Sequence, residues 1–300
     1  MSFLPIEPYL IELIERMERE SISLILAGGL GIYLKHRWVL EQLEAGRRTT
    51  LFDAVPDARA TDDIDAFFQI QVYFQPTRSE LRRALSELGY RPYVDFLIFE
   101  KPLDGSDRTI SLDLLAPLSD DPRLKVDKPG KPGKLRRLGP VDNSASPPNQ
   151  RLHAFATPEA FAIEERPQSL PLVGRSPDGT PYEGVVRIPH PFTSLCMKIK
   201  AAADFERAAV SERKPRAEKH AVDVYLLLAM LDEQEWSECN ELCDRFSDHP
   251  ELRLICDAVT ELFVDPDLDG CITIARNTRG ADLGRFAEVV RELFPSSSEG

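Results

Sequence analysis

Apolar residues near the start of the chain recur at helical intervals, with Leu10, Leu13, Ile14 and Met17 on one face, and predict an amphipathic helix. The pattern then changes. SISLILAGG is a short apolar run closed by two glycines, as in a buried strand that delivers a tight turn. Helical periodicity resumes over residues 30–45. A polar stretch from Gly46 to Ala60, with Pro56 in it, reads as a loop, and DIDAFFQI reads as a second strand. A helix is predicted from Ser79, with Gly89 as its stop signal. Two strand-like runs follow, YVDFLIFEKP and RTISLDLLAP, joined by the turn-rich DGSD. This alternation over residues 1–117 predicts an α/β (α+β) unit with a mixed β-sheet.

Beyond residue 117 the punctuation changes. Residues 118–150 concentrate Pro, Gly and basic residues and are expected to form a mobile basic loop. Short β-like pieces, AFAIEE and GVVRIPHP, occupy residues 151–190. From Phe192 the pattern is helical, clearest in SLCMKIKAAADFERA and EKHAVDVYLLLAMLDE, with shorter helices near 235–247, 250–264 and 281–294. The division expected is a first domain over 1–190, a helical C-terminal domain over 191–295 and a disordered tail at 296–300. A chain of 300 residues is long enough for two domains.

Composition narrows the class. With 42% hydrophobic and 29% charged residues the chain reads as soluble and globular. Its net charge of −13 argues against sequence-independent coating of nucleic acid, yet permits a local basic patch. That patch would be Arg123, Lys125, Lys128, Lys131, Lys134, Arg136 and Arg137, read either as a flexible linker or as a clamp on acceptor RNA. It lacks interleaved aromatics, so base stacking is not indicated. No apolar run approaches the roughly 20 residues of a membrane span, and nothing resembles a signal peptide. A cytoplasmic protein with reduced thiols and no membrane partner is therefore expected. Cys239 and Cys243 stand four apart on a predicted helix, but no other Cys or His partners them, which favours packing over zinc.

The candidate chemistry lies in the acids of two strands. Asp63 and Asp65, two apart, project from the same face of their strand, while Ile64 projects into the core. Two such carboxylates repel unless a cation lies between them, and oxygen-only ligands suit Mg²⁺ or Mn²⁺. Asp113, between Leu112 and Leu114, would join them as ligand or base if its strand lies alongside. Gly28 and Gly29 would let a triphosphate approach the backbone and the following helix N-terminus.

In their order, GGLGIYLKHR and RATDDID resemble the Gly-Gly and Arg-x-Thr-x-Asp-Ile-Asp signature of bacterial nucleotidyltransferase-fold proteins. The later MKIKAAADFER and PRAEKHAVDVYLLL resemble the Lys and Lys-Asp-x-x-Asp motifs of the abortive-infection (AbiEii-like) nucleotidyltransferase toxins. The resemblance covers roughly residues 20–230. It implies that Gly28 and Gly29 meet the phosphates of a nucleoside triphosphate, that Asp63 and Asp65 hold the metal, and that Arg59 and Thr61 buttress their strand. It further implies that Lys198, ahead of Lys200, binds triphosphate oxygens, with Lys219 and Asp223 nearby in a cleft between the domains. The expected reaction transfers a nucleoside monophosphate to RNA, tRNA or protein, held in check by an antitoxin partner. A small hydroxylated acceptor, or a non-catalytic relic of the fold, are the alternatives. Two departures are visible: residues 46–58 lengthen the gap between Gly29 and Asp63 as an insertion or lid, and His220 stands where the toxin motif carries an acid, read here as a solvated helix residue.

Overall fold

A computed structural model describes residues 5–59, 61, 63–94, 96–103, 107–126, 137–141, 147, 151–207 and 214–295. The chain divides into two compact units. One comprises Met1–Leu34, Arg59–Pro158 and Glu164–Pro189; the other comprises Lys35–Ala58, Glu159–Ile163 and His190–Gly300.

The first unit is a mixed α/β structure. Helix α1 (Glu7–Arg19) buries the predicted stripe of Leu10, Leu13, Ile14 and Met17. Strand β1 (Leu24–Ala27) is buried throughout and runs straight into α2 (Gly28–Glu44). Strand β2 (Asp63–Phe68) and helix α3 (Thr77–Glu87) follow. YVDFLIFEKP, which reads as one strand, is a hairpin of β3 (Arg91–Val94) and β4 (Ile98–Pro102). Phe96, at φ +60°, makes the turn, and the Leu97 N–H donates to the Val94 carbonyl at 2.8 Å. Strand β5 (Thr109–Ala116) alternates buried and less buried residues along its length.

The basic loop expected over 118–150 contains two strands, β6 (Leu124–Val126) and β7 (Arg137–Pro140), paired antiparallel. Its middle, with Lys128, Lys131, Lys134 and Arg136, lies outside the described residues, as does the tail at 296–300. Strand β8 (Ala154–Ala156) completes the sheet, in the order β1-β2-β5-β8-β7-β6, with β4 on β5 and β3 on β4. The pairs β2–β5 and β5–β8 are parallel and the others antiparallel, so the sheet is mixed. A separate hairpin, β9 (Gln168–Arg175) and β10 (Pro181–Ile188), turns through Asp178 and Gly179.

The second unit is helical: α4 (Pro191–Glu206), α5 (Lys214–Ala229), α6 (Glu233–Arg245), α7 (Pro250–Leu262), α8 (Asp269–Asn277) and α9 (Leu283–Leu293). Residues 35–58 belong to it, although the sequence assigns them to the first domain. The Leu51 N–H donates to the Leu231 carbonyl at 2.8 Å, Phe52 packs edge-on against Tyr225, and Arg48 pairs with Asp232 and Glu235. The expected polar insertion or lid is thus fastened by partners nearly two hundred residues away. All five cysteines are buried thiols. Burial pushes the Cys243 thiol up to about 12, which opposes a thiolate ligand. Among the described residues no helix is long and apolar enough to cross a membrane.

Candidate active site

The site begins where β1 ends. Gly28 has φ +62°, a conformation that residues with a side chain rarely adopt, and a Cβ built there would fall 1.6 Å from Asp65 Oδ2. Glycine is therefore required twice over, once by the backbone and once by the carboxylate lying against it. Gly29 has ordinary φ; a Cβ there would touch Thr61 at 3.4 Å. Thr61 Oγ1 accepts the Asp63 N–H at 3.3 Å, so this side chain abuts the glycine turn and steadies the start of β2. Arg59 is half-buried at the same end.

Strands β2 and β5 run parallel with Asp65 opposite Asp113 and Asp63 opposite Ser111. All four side chains share one face, because paired residues in a ladder point the same way. The other face carries Ile64, Ala66, Leu112 and Leu114, which are completely buried. Ser111 Oγ donates to Asp113 Oδ1 at 2.7 Å and orients that carboxylate. Burial, with the neighbouring charges of Asp65 and Asp63, raises the Asp113 pKa to about 6 against the opposite pull of the Ser111 hydrogen bond. A carboxylate so placed has reason to take up a proton or a cation near neutral pH.

Three carboxylates on adjacent strands are a donor set suited to a hard divalent ion. Among the described residues, however, no group of three His, Cys, Asp or Glu is drawn close enough to enclose one. The Asp65 carboxylate is turned against Gly28, so joint coordination requires side-chain rotation. The chemistry of the donors fits a metal, and their present rotamers do not yet converge on it.

Lys198, Lys219 and Asp223 belong to the second unit. Lys198 Nζ donates to Asp223 Oδ2 at 2.7 Å, and both side chains are buried. The pair joins α4 to α5. Lys200 pairs instead with Asp204 on its own helix. Lys219 is half-buried. His220 is half-buried and stacks on Phe205, with ring centroids 5.4 Å apart.

No protein-family model matches the chain, and no curated protein is significantly similar to it. Among solved structures, the chain is similar to the antibiotic-resistance factor ANT(2'')-Ia in solution, at 15% identity and a TM-score of 0.31, over 81% of this chain and 100% of that one. It is also similar to the crystal structure of an antigenic nucleotidyltransferase-like protein from Paracoccidioides brasiliensis, at 12% identity and a TM-score of 0.36, over 84% of this chain and 92% of that one. Likeness this distant leaves the function to the site itself.

Two supporting residues escape the sequence reading. Gly31 lets α2 approach its own strand, since a Cβ there would meet the Leu26 carbonyl oxygen at 2.5 Å. The signal was the third glycine of GGLG. Ser111 sits two residues before Asp113, and that same-face spacing was available in SLD.

Proposed function

We propose that the chain is a metal-dependent nucleotidyltransferase that moves a nucleoside monophosphate from a nucleoside triphosphate to an acceptor hydroxyl. The observation that carries this reading is the register of β2 and β5. It sets Asp113 opposite Asp65, with Asp63 on the same face and Gly28 against the Asp65 carboxylate.

In this account the backbone at Gly28 and Gly29 receives the phosphates, where the N-terminus of α2 favours an anion. Asp63, Asp65 and Asp113 would hold Mg²⁺ or Mn²⁺, which supplies neutralisation of the phosphate charge and a lowered pKa for the acceptor hydroxyl. Ser111 fixes the Asp113 carboxylate through Oδ1, and Asp113 takes the acceptor's proton at its other oxygen. The acceptor oxygen forms a bond to the α-phosphorus while the bond from that phosphorus to the β-phosphate oxygen breaks, and pyrophosphate departs. Thr61 and Arg59 hold β2 in place for these events. Most of the rate would come from positioning and charge compensation. Lys198, Lys219 and Asp223 enter the proposed nucleotide site through the sequence resemblance alone.

RNA is the acceptor under the toxin reading, which also requires an antitoxin partner. A small hydroxylated acceptor is the second reading, favoured by the net charge of −13, which is unsuited to broad RNA contact. The test incubates the protein with magnesium and each α-labelled nucleoside triphosphate, offering total RNA or a pool of hydroxylated small molecules. Label transferred by the wild type and not by Asp63→Ala/Asp65→Ala supports the enzyme and identifies the acceptor. Equal labelling by both proteins, or none by either, contradicts it.

A further inference from the structure

The site face of the sheet continues past its carboxylates. Two residues beyond Asp113, Leu115 stands opposite Phe155 on β8. Phe155 in turn stands opposite Arg137 on β7, and Gly139, two residues further, stands opposite Lys125 on β6. Paired residues share a face and so do residues two apart, so Asp65, Asp113, Phe155, Arg137 and Lys125 all point to one side. Burial agrees. Leu114, Ala116, Ala154 and Leu138 on the opposite face are completely buried, whereas Arg137 is half-buried and Lys125 exposed. At about 4.8 Å between strands, Arg137 lies on the order of 10 Å across the sheet from the strand of Asp113.

Strand order gives this flank its meaning. The glycine turn and the N-terminus of α2 follow β1 on one side of the carboxylates, while β8, β7 and β6 lie on the other. An in-line displacement puts the leaving and attacking oxygens on opposite sides of the phosphorus. With the leaving phosphates against Gly28 and Gly29, the acceptor approaches over β8 and β7. A guanidinium and an ammonium on that flank attract an anionic acceptor and repel a cationic one. We propose, resting on the nucleotidyl-transfer reading, that Arg137 and Lys125 form an acceptor subsite selecting a phosphate-bearing acceptor over a cationic one. Arg137 supplies the planar fork for a phosphate beside the attacking hydroxyl.

The test measures anisotropy of a short labelled oligoribonucleotide, with ribose 5-phosphate and a cationic aminosugar as competitors, and titrates magnesium–nucleotide separately. Arg137→Ala is expected to weaken anion binding about tenfold to a hundredfold. Arg137→Lys should recover part of that loss, as a replacement that keeps the charge and the fold. The salt dependence of oligoribonucleotide binding should become shallower by about 0.7 in the logarithmic slope in Arg137→Ala. Competition by ribose 5-phosphate that disappears in Arg137→Ala supports a small phosphorylated acceptor; an effect confined to the oligoribonucleotide supports a polymeric one. Anion affinity unchanged in Arg137→Ala, or preferential binding of the aminosugar, overturns the proposal. If magnesium–nucleotide binding persists beside that result, the acceptor subsite alone falls. If the wild type binds no magnesium–nucleotide, the nucleotidyl-transfer reading falls and takes the acceptor assignment with it.

Discussion

Replacing Gly28 by alanine would set a methyl group 1.6 Å from Asp65 Oδ2 in a left-handed backbone conformation. The backbone term alone costs about 1–2 kcal/mol, and the displaced carboxylate should abolish metal-dependent nucleotide binding. Urea denaturation together with nucleotide titration checks both parts. Asp113 makes a different prediction. Its folded pKa, raised from 3.8 to about 6, means that the folded state holds the proton more tightly than the unfolded chain does. Stability from this group is therefore present below pH 4 and lost as the pH rises towards and through 6. Asp113→Asn should flatten that part of the pH–stability curve and leave the variant more stable than wild type at neutral pH in the absence of metal, though inactive. Ser111 matters at this scale because it was legible only as a neighbour: SLD places it on the face of Asp113, but its hydroxyl bond depends on the rotamer.

At the scale of elements, the Lys198–Asp223 pair links α4 and α5 through two buried charges. Removing one partner takes the ion pair from the other buried charge, and Lys198→Met should cost about 3–5 kcal/mol. Lys198→Met/Asp223→Leu should recover most of that cost, as chemical denaturation of the single and double variants would show. A double variant as unstable as the single one would contradict a strut role. Loss of nucleotide affinity in a stable double variant would instead favour the phosphate role implied by the sequence resemblance. Several elements were readable locally. The stripe of α1, the β1–glycine–α2 turn and the same-face aspartates all follow from spacing. Pairing was not, because nothing local says that Asp113 stands opposite Asp65. The β3–β4 hairpin was hidden because Phe96, not a glycine, takes the left-handed turn position. Asp178-Gly179 is a local signal for the β9–β10 turn, where Gly179 has φ +87°. Residues 46–58 read as a loose insertion because their partners, Leu231, Asp232 and Glu235, are remote in sequence.

For the whole molecule, acid crowding at Asp63, Asp65 and Asp113 implies that metal binding is coupled to stability. Magnesium with nucleotide at a hundred times its dissociation constant should add about 2.7 kcal/mol and raise the melting temperature. Asp63→Asn/Asp65→Asn should abolish that rise while melting no lower than wild type without metal. Net charge said little about the chemistry: a chain of −13 still carries Lys125 and Arg137 on the face of its carboxylates. The most direct test of the central claim is electron paramagnetic resonance of manganese titrated into the protein with nucleoside triphosphate, compared with the nucleotide alone. A carboxylate metal site on β2 and β5 gives a protein-bound manganese signal in the wild type that Asp63→Asn/Asp65→Asn does not give. Spectra identical to those of manganese and nucleotide without protein, or identical in wild type and variant, would contradict a carboxylate metal site on β2 and β5.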